Sequence, residues 1–210
     1  MTFISQIFST KKSYNYTRYY YYEMLSDKYR DGQFYSDAIN NFKTLNKIET
    51  DTEISLVNNK KLQEISIKDI VKKYGKFNYK ITNEDLFEID ILFYKLKLGK
   101  HKTKLEFHFF ENTLFFYTYT FSHLNAEDKN EIKQIIQKKY LEEKTLNLFK
   151  NYIVDKNKNI IILNENIDFS ISYLCNNKIA IEKILKHIDL KKVENETMDK
   201  RYNKTLYKRL

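Results

Sequence analysis

A chain of 210 residues that is 42% hydrophobic and 31% charged has the balance of a folded globular protein, not of a disordered one. Its length supports one good core or at most two small ones. The net charge of +9 suits an anionic partner, while one cysteine and three glycines exclude an internal disulfide, a multi-cysteine zinc cluster and a glycine-rich phosphate loop.

The charge is carried almost entirely by lysine. Of 37 basic residues only Arg18, Arg30, Arg201 and Arg209 are arginines, whereas phosphate and base-edge recognition favours the planar arginine fork. Lys, Asn, Ile, Tyr and Phe are abundant and proline is absent, a bias that matches the codons of an AT-rich genome. Much of the basic excess therefore needs no ligand to explain it.

In chain order, Met1–Ser9 is mildly apolar but too short for a signal-peptide core, and no segment has the apolar length of a membrane span. A cytoplasmic location is expected. The block from about 11 to 47 opens with a tyrosine-rich segment, Tyr14 to Tyr29, in which Tyr21, Met24, Leu25 and Tyr29 have helical spacing and Gly32 is the stop. A second helix is expected with Ser36 as cap and Ala38, Ile39, Phe42 and Leu45 as its stripe. Residues 49–63 read as a loop with a short strand at Ile54–Val57.

The clearest unit is α-β-β-β-α, from about 66 to 141. Ser66 and Asp69 form a capping box for a helix that ends at Gly75. Three long strands follow, Leu86–Leu98, Lys104–Phe110 and Thr113–Phe121, joined by tight turns at Gly99-Lys100 and Glu111-Asn112. Asn125 caps the next helix, whose stripe is Ile132, Ile135, Ile136 and Tyr140 or Leu141. A smaller β-α piece, about 151–190, has strands at Asn151–Val154, Ile160–Leu163 and Ile167–Leu174 and a helix capped by Asn177. Cys175 follows the last strand as a small buried residue. From Lys191 the apolar pattern fades into a basic tail, read as frayed or disordered. The expected fold is α+β: an antiparallel β-meander, three long central strands plus a second smaller β group, packed with helices in a single domain over 1–190.

Two-residue turns would place Leu92, Leu96, Leu98, Leu105, Phe107, Phe109, Leu114 and Phe116 on one face of the meander. The other face would carry Ile89, Ile91, Phe93, Glu106, His108, Phe110, Phe115, Tyr117, Tyr119 and Phe121. Neither face is polar, so each needs a lid. The lid of the second face is the chain's own N-terminal or C-terminal helix, a protein partner such as a second copy, or single-stranded nucleic acid stacking on the aromatics. Phe93, Glu106, His108, Phe110, Phe115, Tyr117 and Tyr119 are the candidate binding residues.

Chemical motifs are sparse. Glu106 and His108 alternate on one strand face, a pattern able to hold an acid–base pair, but two ligands are too few for a metal. His123 precedes a helix opening with Glu127 and Asp128, His101 lies beside a turn and His187 on a helix flank. No catalytic residue, metal ligand or cofactor is assigned.

The stretch Ile67–Phe77, a short helix stopped by glycine ahead of a meander, resembles the small outer-membrane-assembly lipoprotein fold and its inhibitor-protein relatives. It departs from that pattern in having Phe77 where those families have proline, and it lacks their lipoprotein signal. The resemblance covers about a quarter of the chain and implies only non-enzymatic protein binding. The expected function is thus a non-catalytic protein-binding or accessory module, inhibitor- or immunity-like or self-associating. The alternatives are a sequence-nonspecific nucleic-acid binder and an enzyme centred on Glu106 and His108.

Overall fold

The computed structural model describes residues 21–58, 60–83, 89–142, 147, 149–165 and 168–209. The expectations for Met1–Ser9, Tyr14–Tyr20 and the start of the first long strand at Leu86 lie outside these residues. The fold is α+β: one mostly antiparallel eight-stranded sheet with helices on both faces.

The elements run α1 (21–30), α2 (Gln33–Lys43), β1 (Asn46–Glu49), a 3₁₀ turn (Leu62–Glu64), α3 (Ile67–Tyr74), β2 (Tyr79–Asn83), β3 (Ile89–Leu98), β4 (His101–Phe110), β5 (Thr113–Phe121), α4 (Ala126–Tyr140), β6 (Asn151–Val154), β7 (Ile160–Glu165), β8 (Phe169–Leu174) and α5 (Lys178–Arg209). Across the sheet the order is β1-β6-β7-β8-β5-β4-β3-β2. The C-terminal strands are therefore not a separate β group, because β8 pairs with β5 and continues the same sheet.

Local chemistry accounts for most boundaries. Gly32, at φ 73°, ends α1 in a conformation that costs glycine little. Asp31 then accepts from the Gln33 amide at 2.9 Å, so α2 starts before Ser36, which lies within the helix instead of capping it. The Ser66–Asp69 capping box opens α3, Asn125 accepts from the Asp128 amide at 2.7 Å, and Asn177 from Ala180 at 3.1 Å. Glu111 and Asn112 both have positive φ, as the β4–β5 hairpin requires. Ile54–Val57 forms no strand: Ile54 and Leu56 enter the core from an irregular loop pinned by Asp155, which accepts from the Ile54 amide at 2.9 Å. The edge strands β1 and β2 are unforeseen, and the tail from Lys191 continues α5 as helix to Arg209.

A β-bulge in β5 rearranges the faces. His108 pairs with Phe116 and Phe109 with Leu114, so Phe115 is an extra residue with no partner on β4. Phe115 and Phe116 consequently share one face, and every side chain after them is inverted relative to a regular hairpin. The expectation that Phe116 joins Phe107 while Tyr117, Tyr119 and Phe121 join Glu106 is overturned. Phe116 packs with Phe93 and Phe115, while Tyr117 and Phe121 pack with Phe107, and Tyr119 lies against that same core.

Two cores result. On one face α3, α4 and the 54–65 segment cover Leu92, Tyr94, Leu105, Phe107, Phe109, Tyr117, Ile171 and Tyr173. Tyr117 and Tyr173 stack there, with ring centroids 4.3 Å apart. On the other, α1, α2 and α5 cover Ile89, Ile91, Phe93, Phe110, Phe115 and Phe116 through Leu25, Tyr29, Tyr35, Ile39, Ala180, Ile184 and Ile188. The lid of the second face is the chain itself.

Phe107 is fully buried against the rings of Tyr74, Tyr94 and Tyr117. Phe107→Ala should lower the unfolding free energy by about 3–5 kcal/mol, read as a drop in the urea midpoint at unchanged m-value.

Candidate functional site

Alternation along β4 sets Lys104, Glu106 and His108 on the face beneath α1 and α2. Glu106 lies opposite Phe93 and Thr118, and His108 opposite Ile91 and Phe116. Helix α1 lowers Lys28 and Tyr29 onto this strip, and α2 adds Phe34 and Tyr35. The Glu106 and His108 side chains are both 0% exposed, which makes the accounting for their polar atoms decisive.

Glu106 is surrounded by donors. The Tyr29 hydroxyl donates to Oε2, Lys104 Nζ lies 2.8 Å from Oε1, and Lys28 Nζ lies 3.9 Å from Oε2. His108 Nε2 faces Oε2 at 3.6 Å, too long for a hydrogen bond, while its Nδ1 is 2.9 Å from the Tyr35 hydroxyl. A neutral ring accepting from Tyr35 and turning Nε2–H toward the carboxylate fits these contacts. Around the imidazole, Phe34 stacks at 5.9 Å and Phe116 meets it edge-on at 5.0 Å.

The protonation states follow. Burial would raise the Glu106 carboxyl, but His108, Lys28 and Lys104 outweigh it and hold it well below the usual carboxylate range. Burial depresses the His108 imidazole despite Glu106, so it is neutral. Burial, then Glu106, pushes both Tyr29 and Tyr35 up. Burial lowers Lys28, whereas at Lys104 the Glu106 charge overcomes burial and raises it. The cluster is an ionised carboxylate clamped by two ammonium groups beside a neutral imidazole.

In this arrangement neither Glu106 nor His108 has exposed side-chain surface. What they do chemically is fasten α1 and α2. Next to them a cleft of about 360 Å³ opens over β5, β8 and β7, lined by Thr118, Thr120, Ser170 and Ser172, with Lys28 and Lys104 balanced by Asp37 and Asp168. That balance gives the cleft no preference for an anion.

Of the seven residues expected to form a binding face, Phe93, Glu106, His108, Phe110 and Phe115 do lie together, beneath the chain's own helices. Tyr117 and Tyr119 lie on the opposite side of the sheet, removed by the bulge. Lys28, Tyr29, Tyr35 and Lys104 complete the cluster and are not singled out by motif. The signal for Tyr29 is its place in the Tyr21–Tyr29 helical stripe, and for Lys104 its two-residue step from Glu106. Burial pushes the Cys175 thiol up and keeps it from acting as a nucleophile. Asp128, at the start of the helix that follows His123, pairs with Lys100 at 2.8 Å and lies near His101 and Glu131.

Among the described residues, no helix is long and apolar enough to cross a membrane. No protein-family model matches the chain, and no curated protein or solved structure is significantly similar to it.

Two expectations follow. Glu106→Gln keeps the shape but leaves Lys28 and Lys104 without their counter-charge, and should cost about 2 kcal/mol in chemical denaturation. In the second, His108 is held neutral when folded but takes up a proton when unfolded below its ordinary value of 6.5, so its contribution is present above that pH and lost as pH falls. Thermal unfolding at pH 7.5, 6.0 and 5.0 should show a falling melting temperature in the wild type and a shallower fall in His108→Gln; equal slopes would remove His108 from this role.

Proposed function

We propose that the chain is a non-catalytic protein-binding module of the cytoplasm, an accessory, inhibitor or immunity-like protein, that engages an acidic protein surface through the outer part of α5. In this reading it is a single domain whose three long central strands are the rigid scaffold, with the smaller C-terminal strands and α5 built onto them.

The observation that carries the proposal is the change in α5 beyond Ile188. Up to that point Ala180, Ile184 and Ile188 bury one stripe against the sheet. Further along, Leu190, Val193, Met198 and Tyr207 are 54–85% exposed on a helix that runs on to Arg209, a projection of about 30 Å. From Lys191 to Leu210 there are seven Lys and Arg against three Asp and Glu. A helix that combines open apolar side chains with net positive charge fits an acidic partner with an apolar groove. Two copies of such a helix would repel each other, and the rarity of arginine speaks against nucleic acid. The sealing of Glu106 and His108 supports a non-catalytic role, and the internal lid over Phe93, Phe110 and Phe115 supports moving the contact surface from the sheet to α5.

A photo-crosslinking residue placed at Val193 of the full chain in living cells should trap an acidic protein, and one at the exposed Lys156 should not. Reversing charge with Lys191→Glu and Lys192→Glu should abolish the adduct. Crosslinks to a second copy or to nucleic acid would replace this reading with self-association or with nucleic-acid binding.

A further inference from the structure

At the far end of the β3–β4 hairpin, three side chains from two elements converge. His101 opens β4 directly after the turn, and Asp128 and Glu131 lie one turn apart on α4, so their side chains share a helix face. One ligand atom from each lies within 4.8 Å of the other two. The Asn125 cap, accepting from the Asp128 amide at 2.7 Å, holds the first of the carboxylates at the helix entry.

We propose that His101, Asp128 and Glu131 form a binding site for one divalent transition-metal ion such as Zn²⁺. A position between the two carboxylates already holds a positive charge: Lys100 Nζ is 2.8 Å from Asp128 and 3.1 Å from Glu131. That ammonium sits on a long side chain at a hairpin turn and is 62% exposed, so it can swing into water and leave the donors to an ion. Donors around zinc lie about 3.4 Å apart, as bonds of about 2.1 Å in a tetrahedron require, so rotamer adjustments of about 1 Å close the set. An imidazole with two carboxylates, and no thiolate, suits a first-row divalent ion in preference to Mg²⁺ or Ca²⁺, which take oxygen alone.

A cavity borders the same cluster. Lys100, His101 and Glu131 form the polar rim of a cavity of about 360 Å³ whose walls are apolar, among them Leu98, Ile135, Ile136 and Tyr173. An apolar pocket with a few converging polar groups is the usual form of a small-molecule site. Three protein ligands leave coordination positions free for water or a small ligand, as catalytic zinc centres do.

The lysine provides the discriminating test. Calorimetric titration of the full chain with Zn²⁺ at pH 7.5 should give one ion per chain, and Co²⁺ should bind with a visible absorption band. Changes outside the ligand shell already weaken metal sites 10–100-fold, so His101→Ala and the exposed Glu131→Gln should each weaken binding at least about tenfold. Lys100→Ala, which removes the competing ammonium, should tighten it. Far-UV circular dichroism confirms that each variant is folded, and Glu131→Gln carries the test if His101→Ala is not. The proposal fails if the wild type binds no Zn²⁺, if Glu131→Gln binds as the wild type does, if Lys100→Ala weakens binding, or if Ca²⁺ binds more tightly than Zn²⁺.

Discussion

A carboxylate with no access to water must be surrounded by donors, and two elements meet that demand at Glu106. Lys104 and His108 come from its own strand, Lys28 and Tyr29 from α1, and Tyr35 on α2 anchors the imidazole behind it. The two helices are thereby tied to the sheet at defined points and not held merely by greasy contact. Because one carboxylate faces two ammonium groups, losing it costs more than losing either lysine would. That asymmetry makes Glu106 the residue on which the geometry of this face rests.

The sheet beneath explains why the cluster is internal. With aromatic and aliphatic side chains on both faces, β3, β4 and β5 need cover above and below, and the chain supplies five helices for the purpose. Where the cover ends, over β5, β8 and β7, the side chains change to Thr118, Thr120, Ser170 and Ser172. Phe116 and Ile162 also line this opening, so the change is one of proportion, with hydroxyl side chains more frequent where the helices stop. The polar cluster sits at that boundary, with Lys28 and Lys104 reaching from the roofed side toward the open one.

Much of this was legible in the residues, for identifiable reasons. Alternation along the expected strand Lys104–Phe110 set Glu106 beside His108, and the caps at Ser66, Asn125 and Asn177 could be read because a side-chain oxygen just ahead of a helix has few other uses. The bulge could not be read: Phe115 and Phe116 are identical, and nothing in their order marks one as the extra residue. Tyr117 and Tyr119 were misplaced by that single step. The edge strands β1 and β2, four and five residues long, are too short to establish a period. Beyond Lys191 the sequence carries no apolar repeat that would mark a helix, although Val193, Met198 and Tyr207 lie exposed on one. Tyr29, the hydroxyl donor to Glu106 from α1, lies 77 positions away in the chain, beyond the reach of any local pattern.

That separation also bears on how the molecule is made. Tyr29 emerges from the ribosome long before Glu106, and Ser172 of β8, which completes the pairing of β5, emerges 54 residues after its partner Thr118. The tyrosine-bearing helix therefore waits without its docking surface until β4 has been made, and the sheet is complete only once β8 has followed. A topology this rich in distant pairings folds slowly and exposes its apolar surfaces meanwhile, so the nascent chain spends its most vulnerable period with an aromatic amphipathic helix unpaired.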